Sequence, residues 1–167
     1  DYPQDWQSML EAGNLHPPMT LRVNPAHCTV DAYLQLLQEA GIEAKVLDAS
    51  AILLAQPVGV DRLPGFFDGR VSVQDWGAQR AARLLDVSDG QRVLDACAAP
   101  GGKSCHLLEL AKIQLTALDC DGPRLAKVQQ NLDRLGLSAK LQTGDAAEPL
   151  TARLSSRPPD CVCTGRT

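Results

Sequence analysis

The sequence predicts an α/β fold: a doubly wound, Rossmann-like parallel sheet preceded by a small α+β unit. Three observations carry this. The runs "QRVLDA", "IQLTALD" and "AKLQTGD" read as short strands of the buried, parallel kind, with helix-like runs between them over about fifty residues. The first of these runs is followed at once by "CAAPGGKS", a loop with two glycines that opens a helix. The run "PVGVDRLPGFFDG", residues 57–69, is rich in turn formers and marks a boundary near residue 65. Residues 1–65 thus form the small unit and 66–167 the parallel one.

In chain order, "PQDWQSMLEAG" reads as a short helix closed by Gly13. "MTLRVN" is a strand stopped by Pro25. Thr29 can cap a helix whose apolar residues Val30, Tyr33, Leu34 and Leu37 follow helical spacing, and Gly41 ends it. "EAKVLD" and "AILLAQ" are short strands. Ser72 with Asp75 three positions on resembles a capping box for a helix running to about Leu85. A helix around Ser104–Ala111 follows the glycine loop. Pro123 suits the first turn of a helix carrying Leu125, Val128, Leu132 and Leu135, and Gly136 closes it.

Composition excludes several classes. The net charge of −4 is not that of a protein gripping nucleic acid through bulk charge. Residues 1–65 hold three Lys/Arg against eight Asp/Glu, and the remainder thirteen against twelve. RNA contacts are therefore expected to be local. No stretch is long enough to span a membrane. The six cysteines make no C-x-x-C pair and the three histidines are scattered, so no metal site is expected. Lone cysteines among apolar neighbours read as buried, reduced thiols of a cytoplasmic protein, here expected to be a monomer.

The glycine loop presents backbone N–H groups and the positive end of a helix. Three ligands compete for it. A triphosphate loop of the form G-x-x-x-x-G-K-[ST] could end at Gly102-Lys103-Ser104, but Cys97 stands where its first glycine belongs. A dinucleotide needs G-x-G-x-x-G, which is absent. S-adenosylmethionine wants a carboxylate at the end of the second strand, and Asp119 is there, eighteen residues after Gly101. Asp145 follows the third strand in "TGD" and could reach the adenine edge. Either aspartate alone reads more readily as a cap or a solvated turn. Together, at the carboxyl edge of one sheet, they favour a ligand site.

"RVLDACAAPGGKS" resembles the first motif of the RNA 5-methylcytosine methyltransferases, the Sun/NOL/NOP family. "HPPMTLRVN", "GRVSVQDWGAQRAARLL", "ALDCDGPRLAKVQQNLDRLGL" and "LQTGDA" resemble further family segments in order and spacing, from residue 14 to about 148. The detail is most similar to the bacterial Sun/Fmu branch, which acts on small-subunit ribosomal RNA. The resemblance implies a Rossmann-like methyltransferase sheet, S-adenosylmethionine as cofactor and ribosomal RNA as partner. It also implies that Cys97, Ala98, Ala99, Pro100, Gly101, Gly102 and Lys103 wrap the methionine end of the cofactor, mainly through backbone N–H groups. Asp119 would take the ribose hydroxyls and Asp145 the adenine amino group. Arg124 would brace the Asp119 loop; a surface arginine in a first helical turn explains it equally well. Gln74 and Asp75 would pack a helix over the site, and capping alone can explain Asp75.

The family attacks C6 of cytosine with a cysteine thiolate, and a second cysteine assists elimination. The nucleophile lies in a "TCS" motif that these 167 residues do not contain. "CTG" at Cys163–Gly165 resembles a remnant of the elimination motif, so Cys163 is the candidate for that step; an ordinary strand-end thiol is the equal alternative. A truncated or gapped chain, inactive alone, is expected, with a binding module lacking turnover as the competing reading.

Overall fold

The computed structural model describes residues 4–14, 17–147 and 158–164. It contains two four-stranded sheets. The first is antiparallel and has the order β2-β3-β1-β4, with β1 Thr20–Val23, β2 Ala44–Val46, β3 Ala51–Leu54 and β4 Val71–Val73. Helix α1, Trp6–Gly13, precedes it, and α2, Val30–Glu39, packs on it. Thr29 caps α2 by accepting from the Ala32 amide at 3.2 Å. Leu21, Val23, Tyr33, Leu37, Ile52, Leu54 and Val71 form the core of this unit.

Strand β1 is buried along its whole length. Its alternation explains this only in part. Leu21 and Val23 share one face and join the core. Thr20 and Arg22 share the other, which is also closed: Arg22 is 1% exposed and pairs with Glu109, far along the chain.

The turn-rich run that suggests a boundary near residue 65 connects two strands of this one sheet. Val73, Ser72 and Val71 pair with Leu21, Arg22 and Val23, so the sheet extends past residue 65 to residue 73. The capping box expected from Ser72 and Asp75 does not form. Ser72 belongs to β4, and its hydroxyl accepts from Arg134 at 3.0 Å. Asp75 is itself the cap of α3, Trp76–Leu84, accepting from the Ala78 amide at 3.0 Å.

The second sheet is parallel, with the order β7-β6-β5-β8: β5 Arg92–Asp95, β6 Gln114–Asp119, β7 Lys140–Thr143 and β8 Cys161–Cys163. Helix α4, Gly102–Leu110, joins β5 to β6, and α5, Gly122–Leu135, joins β6 to β7. The glycine-loop helix therefore starts at Gly102, ahead of the expected Ser104. Asp121 caps α5, Pro123 lies in its first turn, and Gly136 ends it in the left-handed conformation. Strands β6 and β7 lie on one side of β5 and β8 on the other. The order reverses beside β5, and ligands of such sheets bind at the carboxyl edge near that reversal.

Candidate functional site

The loop between β5 and α4 sits at that reversal. Asp95 ends β5, is 1% exposed, and holds both ends of the loop. One carboxylate oxygen accepts from the Ser104 hydroxyl at 2.7 Å and the other from the Cys97 amide at 3.3 Å. Burial pushes its pKa up, against those two hydrogen bonds and the Lys103 charge.

The loop is stitched to its neighbours. The Ala96 amide donates to the Cys163 carbonyl at 2.9 Å, and the Ala98 amide to the Leu118 carbonyl at 3.0 Å. The Ala99 amide donates to Asp119 Oδ2 at 3.1 Å, and the Gly101 amide to the Ala98 carbonyl at 2.7 Å. The N–H groups of Cys97, Ala98, Ala99 and Gly101 are thus bonded within the chain. Gly101 has φ 104°, and a Cβ there would meet Val128 of α5 at 3.2 Å. Glycine lets the loop lie directly on α5.

Asp119 ends β6 and is 4% exposed. Besides the Ala99 amide, it accepts from the Asp121 amide at 3.1 Å and pairs with Arg124 at 3.5 Å, both through Oδ1. A carboxylate offers about four acceptor positions. With the Cys120 thiol, 3.9 Å from Oδ1, the partners number four, three of them on Oδ1; Oδ2 has one and keeps a position open. Arg124 also donates to the Ala99 carbonyl at 3.0 Å, so one half-exposed side chain ties the Asp119 turn to the glycine loop.

Cys97, Ala99, Asp119, Arg124 and Asp145 line one cleft of about 390 Å³, together with Ala96, Cys120, Gly144 and Ala146. That size falls among small-molecule sites, roughly 300–1,000 Å³. Asp145 is exposed, and one of its carboxylate oxygens accepts from the Ala147 amide at 2.8 Å. Other candidates lie elsewhere. Ala98 is buried in the core beside α5. Pro100, Gly102 and Lys103 line a second cavity, of about 600 Å³, shared with Val73, Gln74, Asp75 and Ala78. Cys163 is buried in β8, and burial raises its thiol pKa. Gly165 lies outside the described residues.

Sequence reasoning passed over Asp95, Cys120 and Gly144. Asp95 had a signal: it ends a strand exactly one loop before the glycines, as Asp119 ends the next. No group of three or more His, Cys, Asp or Glu is placed to hold a metal among the described residues. No helix among them is long and apolar enough to cross a membrane.

Two family models match this chain. Residues 1–61 match the RsmF/B-like methyltransferase ferredoxin-like domain, and residues 82–157 match the 16S rRNA methyltransferase RsmB/F. The chain belongs to the RsmB/F methyltransferase family. Ribosomal RNA small subunit methyltransferase B of Pseudomonas syringae pv. tomato is 52% identical over 88% of this chain and 34% of its own length. The protein of that name from Pectobacterium carotovorum is 46% identical over 99% of this chain and 37% of its own. The chain thus spans about a third of these RsmB relatives. A methyltransferase homologue from Pyrococcus horikoshii superposes with a TM-score of 0.81 at 26% identity, over 96% of this chain and 54% of that one.

Proposed function

We propose that the chain is the cofactor-binding part of an S-adenosylmethionine-dependent RsmB-type enzyme that methylates C5 of a cytosine in 16S rRNA, as a cytoplasmic monomer. We take the antiparallel unit to end at β4 and the methyltransferase unit to begin with α3. The observation that carries the cofactor reading is Asp119: a buried carboxylate at the edge of the parallel sheet, braced by Arg124, with one acceptor position open beside a cleft of suitable size. The residues fit the group. Asp119 Oδ2 takes a ribose hydroxyl, Ala96, Ala99 and Ala146 give apolar walls to the base, and Asp145 faces the adenine amino group. Of the glycine loop, Cys97 and Ala99, which line this cleft, meet the methionine end. Bound there, S-adenosylmethionine supplies an electrophilic methyl group. Arg124 keeps Asp119 and the loop in register.

Calorimetry with S-adenosylhomocysteine tests this. The chain is expected to bind it, and Asp119→Asn to weaken binding by about 1.5–3 kcal/mol, the worth of a charge-assisted hydrogen bond. An unchanged affinity would remove Asp119 from the site.

A second reading keeps the binding without turnover, because no TCS motif occurs in these 167 residues. Tritium transfer from labelled cofactor to 16S rRNA separates the two. This chain alone is expected to transfer nothing. Transfer that disappears in Cys163→Ser would make Cys163 the nucleophile.

A further inference from the structure

Arg22 belongs to β1 of the antiparallel unit, yet its guanidinium is spent on the parallel unit. Its Nε donates to Glu109 Oε2 at 2.9 Å and its Nη2 to Glu109 Oε1 at 2.8 Å, a two-point fork. Its Nη1 donates to the Gly102 carbonyl at 3.2 Å and also to Gln74 Oε1. Four hydrogen bonds therefore use most of the five N–H groups that an arginine carries. Both partners of the ion pair are sealed from water, at 1% and 2% side-chain exposure.

The two contacts on α4 are not arbitrary. Gly102 opens that helix and Glu109 lies seven residues, about two turns, further on the same face. One side chain thus holds α4 at both ends. Gln74 completes the clamp. Its backbone is tied to Thr20 in both directions, at 3.1 Å from its amide and 2.6 Å from the Thr20 hydroxyl to its carbonyl. Its side-chain amide packs beside Gly102, 3.7 Å from where a Cβ would stand.

A buried ion pair is a poor device for stability alone, since apolar residues of similar volume often do as well. What an apolar pair lacks is a donor for the Gly102 carbonyl. We infer that Arg22 is a positioning residue: from the antiparallel sheet it fixes the start of α4, and with it the glycine loop that faces the cofactor. The link to cofactor affinity rests on the reading given under Proposed function. The clamp on the loop does not.

The test compares the wild-type chain with Arg22→Met and with Arg22→Met/Glu109→Met, by thermal unfolding, amide hydrogen exchange and S-adenosylhomocysteine calorimetry. Arg22→Met leaves Glu109 buried and unpaired, so its Tm is expected to fall. The double variant is expected to recover Tm. Its Gly102 and Lys103 amides should still exchange at least about tenfold faster than in wild type, with Ala117 and Leu118 unchanged. Its affinity should stay at least about fivefold below wild type, within the range of coupling through intermediate residues. Wild-type exchange at Gly102 and Lys103 in the double variant would overturn the inference. If Tm does not recover, exchange is read against Ala117 and Leu118 within the same protein: loosening confined to the loop supports positioning, and uniform loosening overturns it. A wild-type chain that binds no S-adenosylhomocysteine would refute the cofactor reading and leave the exchange comparison to decide the clamp.

Discussion

Cys97 and Cys120 are exposed on the walls of the cleft, whereas Cys105 and Cys163 are buried. Burial pushes the Cys105 thiol up to about 11 and raises that of Cys163. Only a thiolate is nucleophilic, so the buried pair should be inert near pH 8. Iodoacetamide is expected to label Cys97 and Cys120 first, and S-adenosylhomocysteine to slow both, read by peptide mass spectrometry. Labelling of these two that ignores the ligand would place it elsewhere. His106 gives a second prediction. It is 2% exposed, and its Nδ1 has no partner among the described residues. Burial first, then the Arg22 and Arg83 charges, lower its pKa to about 3, with Asp48 opposing. The folded value lies below the unfolded one, so the unfolded chain binds more protons between the two. This stability is complete above about pH 6.5 and is lost as pH falls, by up to about 1.4 kcal/mol per unit. Between pH 7 and 5.5, above the carboxylate range, His106→Gln is expected to remove most of the decline in Tm. The same slope in both proteins would show that the histidine charges without cost.

Among the elements, the β5–α4 loop makes the sharpest demand on sequence. Gly101 combines a positive φ with a 3.2 Å approach to Val128, whereas Gly136 has φ 66° and open space around it. Gly136→Ala should cost about 1–2 kcal/mol, the penalty of left-handed backbone for an L residue. Gly101→Ala carries that cost and must also push α5 away. Chemical denaturation should find it clearly less stable than Gly136→Ala, with weaker cofactor binding; equal losses would mean that α5 yields freely. Such local demands are what made the fold legible. Asp119 could be placed at the carboxyl edge of the parallel sheet because strand, loop and helix succeed each other within a short span. Thr29, Pro123 and Gly136 announced helix ends for the same reason. Ser72 misled because a capping box and a strand end share one local pattern, and only pairing with Arg22 decides for the strand. The second role of β1 was hidden more deeply. "TLRV" alternates like a strand with one wet face, and the partner that closes that face, Glu109, lies 87 residues away. The split of the predicted loop residues between two cavities was equally illegible, since spacing along a loop does not say which way its backbone turns.

For the whole molecule, the question is whether two sheets make one folding unit. The Arg22 clamp is one tie. Beside the more exposed contact of Arg83 on α3 with Asp48, Arg134 in the last turn of α5 is a second. It donates to the Phe66 carbonyl at 2.6 Å, the Val71 carbonyl at 3.0 Å and the Ser72 hydroxyl at 3.0 Å, and its guanidinium lies 4.2 Å from the centre of the Phe66 ring. Each tie binds a helix of the parallel unit to the first sheet or to the connection leading into its last strand, and each is largely out of water. Pulling the units apart would return Arg22 and Glu109 to water and break the Arg22 and Arg134 hydrogen bonds together, each worth roughly 0.5–1.5 kcal/mol net. The two sheets should therefore unfold together: calorimetry is expected to show one transition, with calorimetric and van't Hoff enthalpies in agreement. Arg134→Lys keeps the charge but loses the planar fork that serves three acceptors at once. It should lower stability by about 1–3 kcal/mol while keeping a single transition. Two transitions in the wild-type chain would mean that the ties do not couple the units, and that the first sheet cannot fix the position of α4.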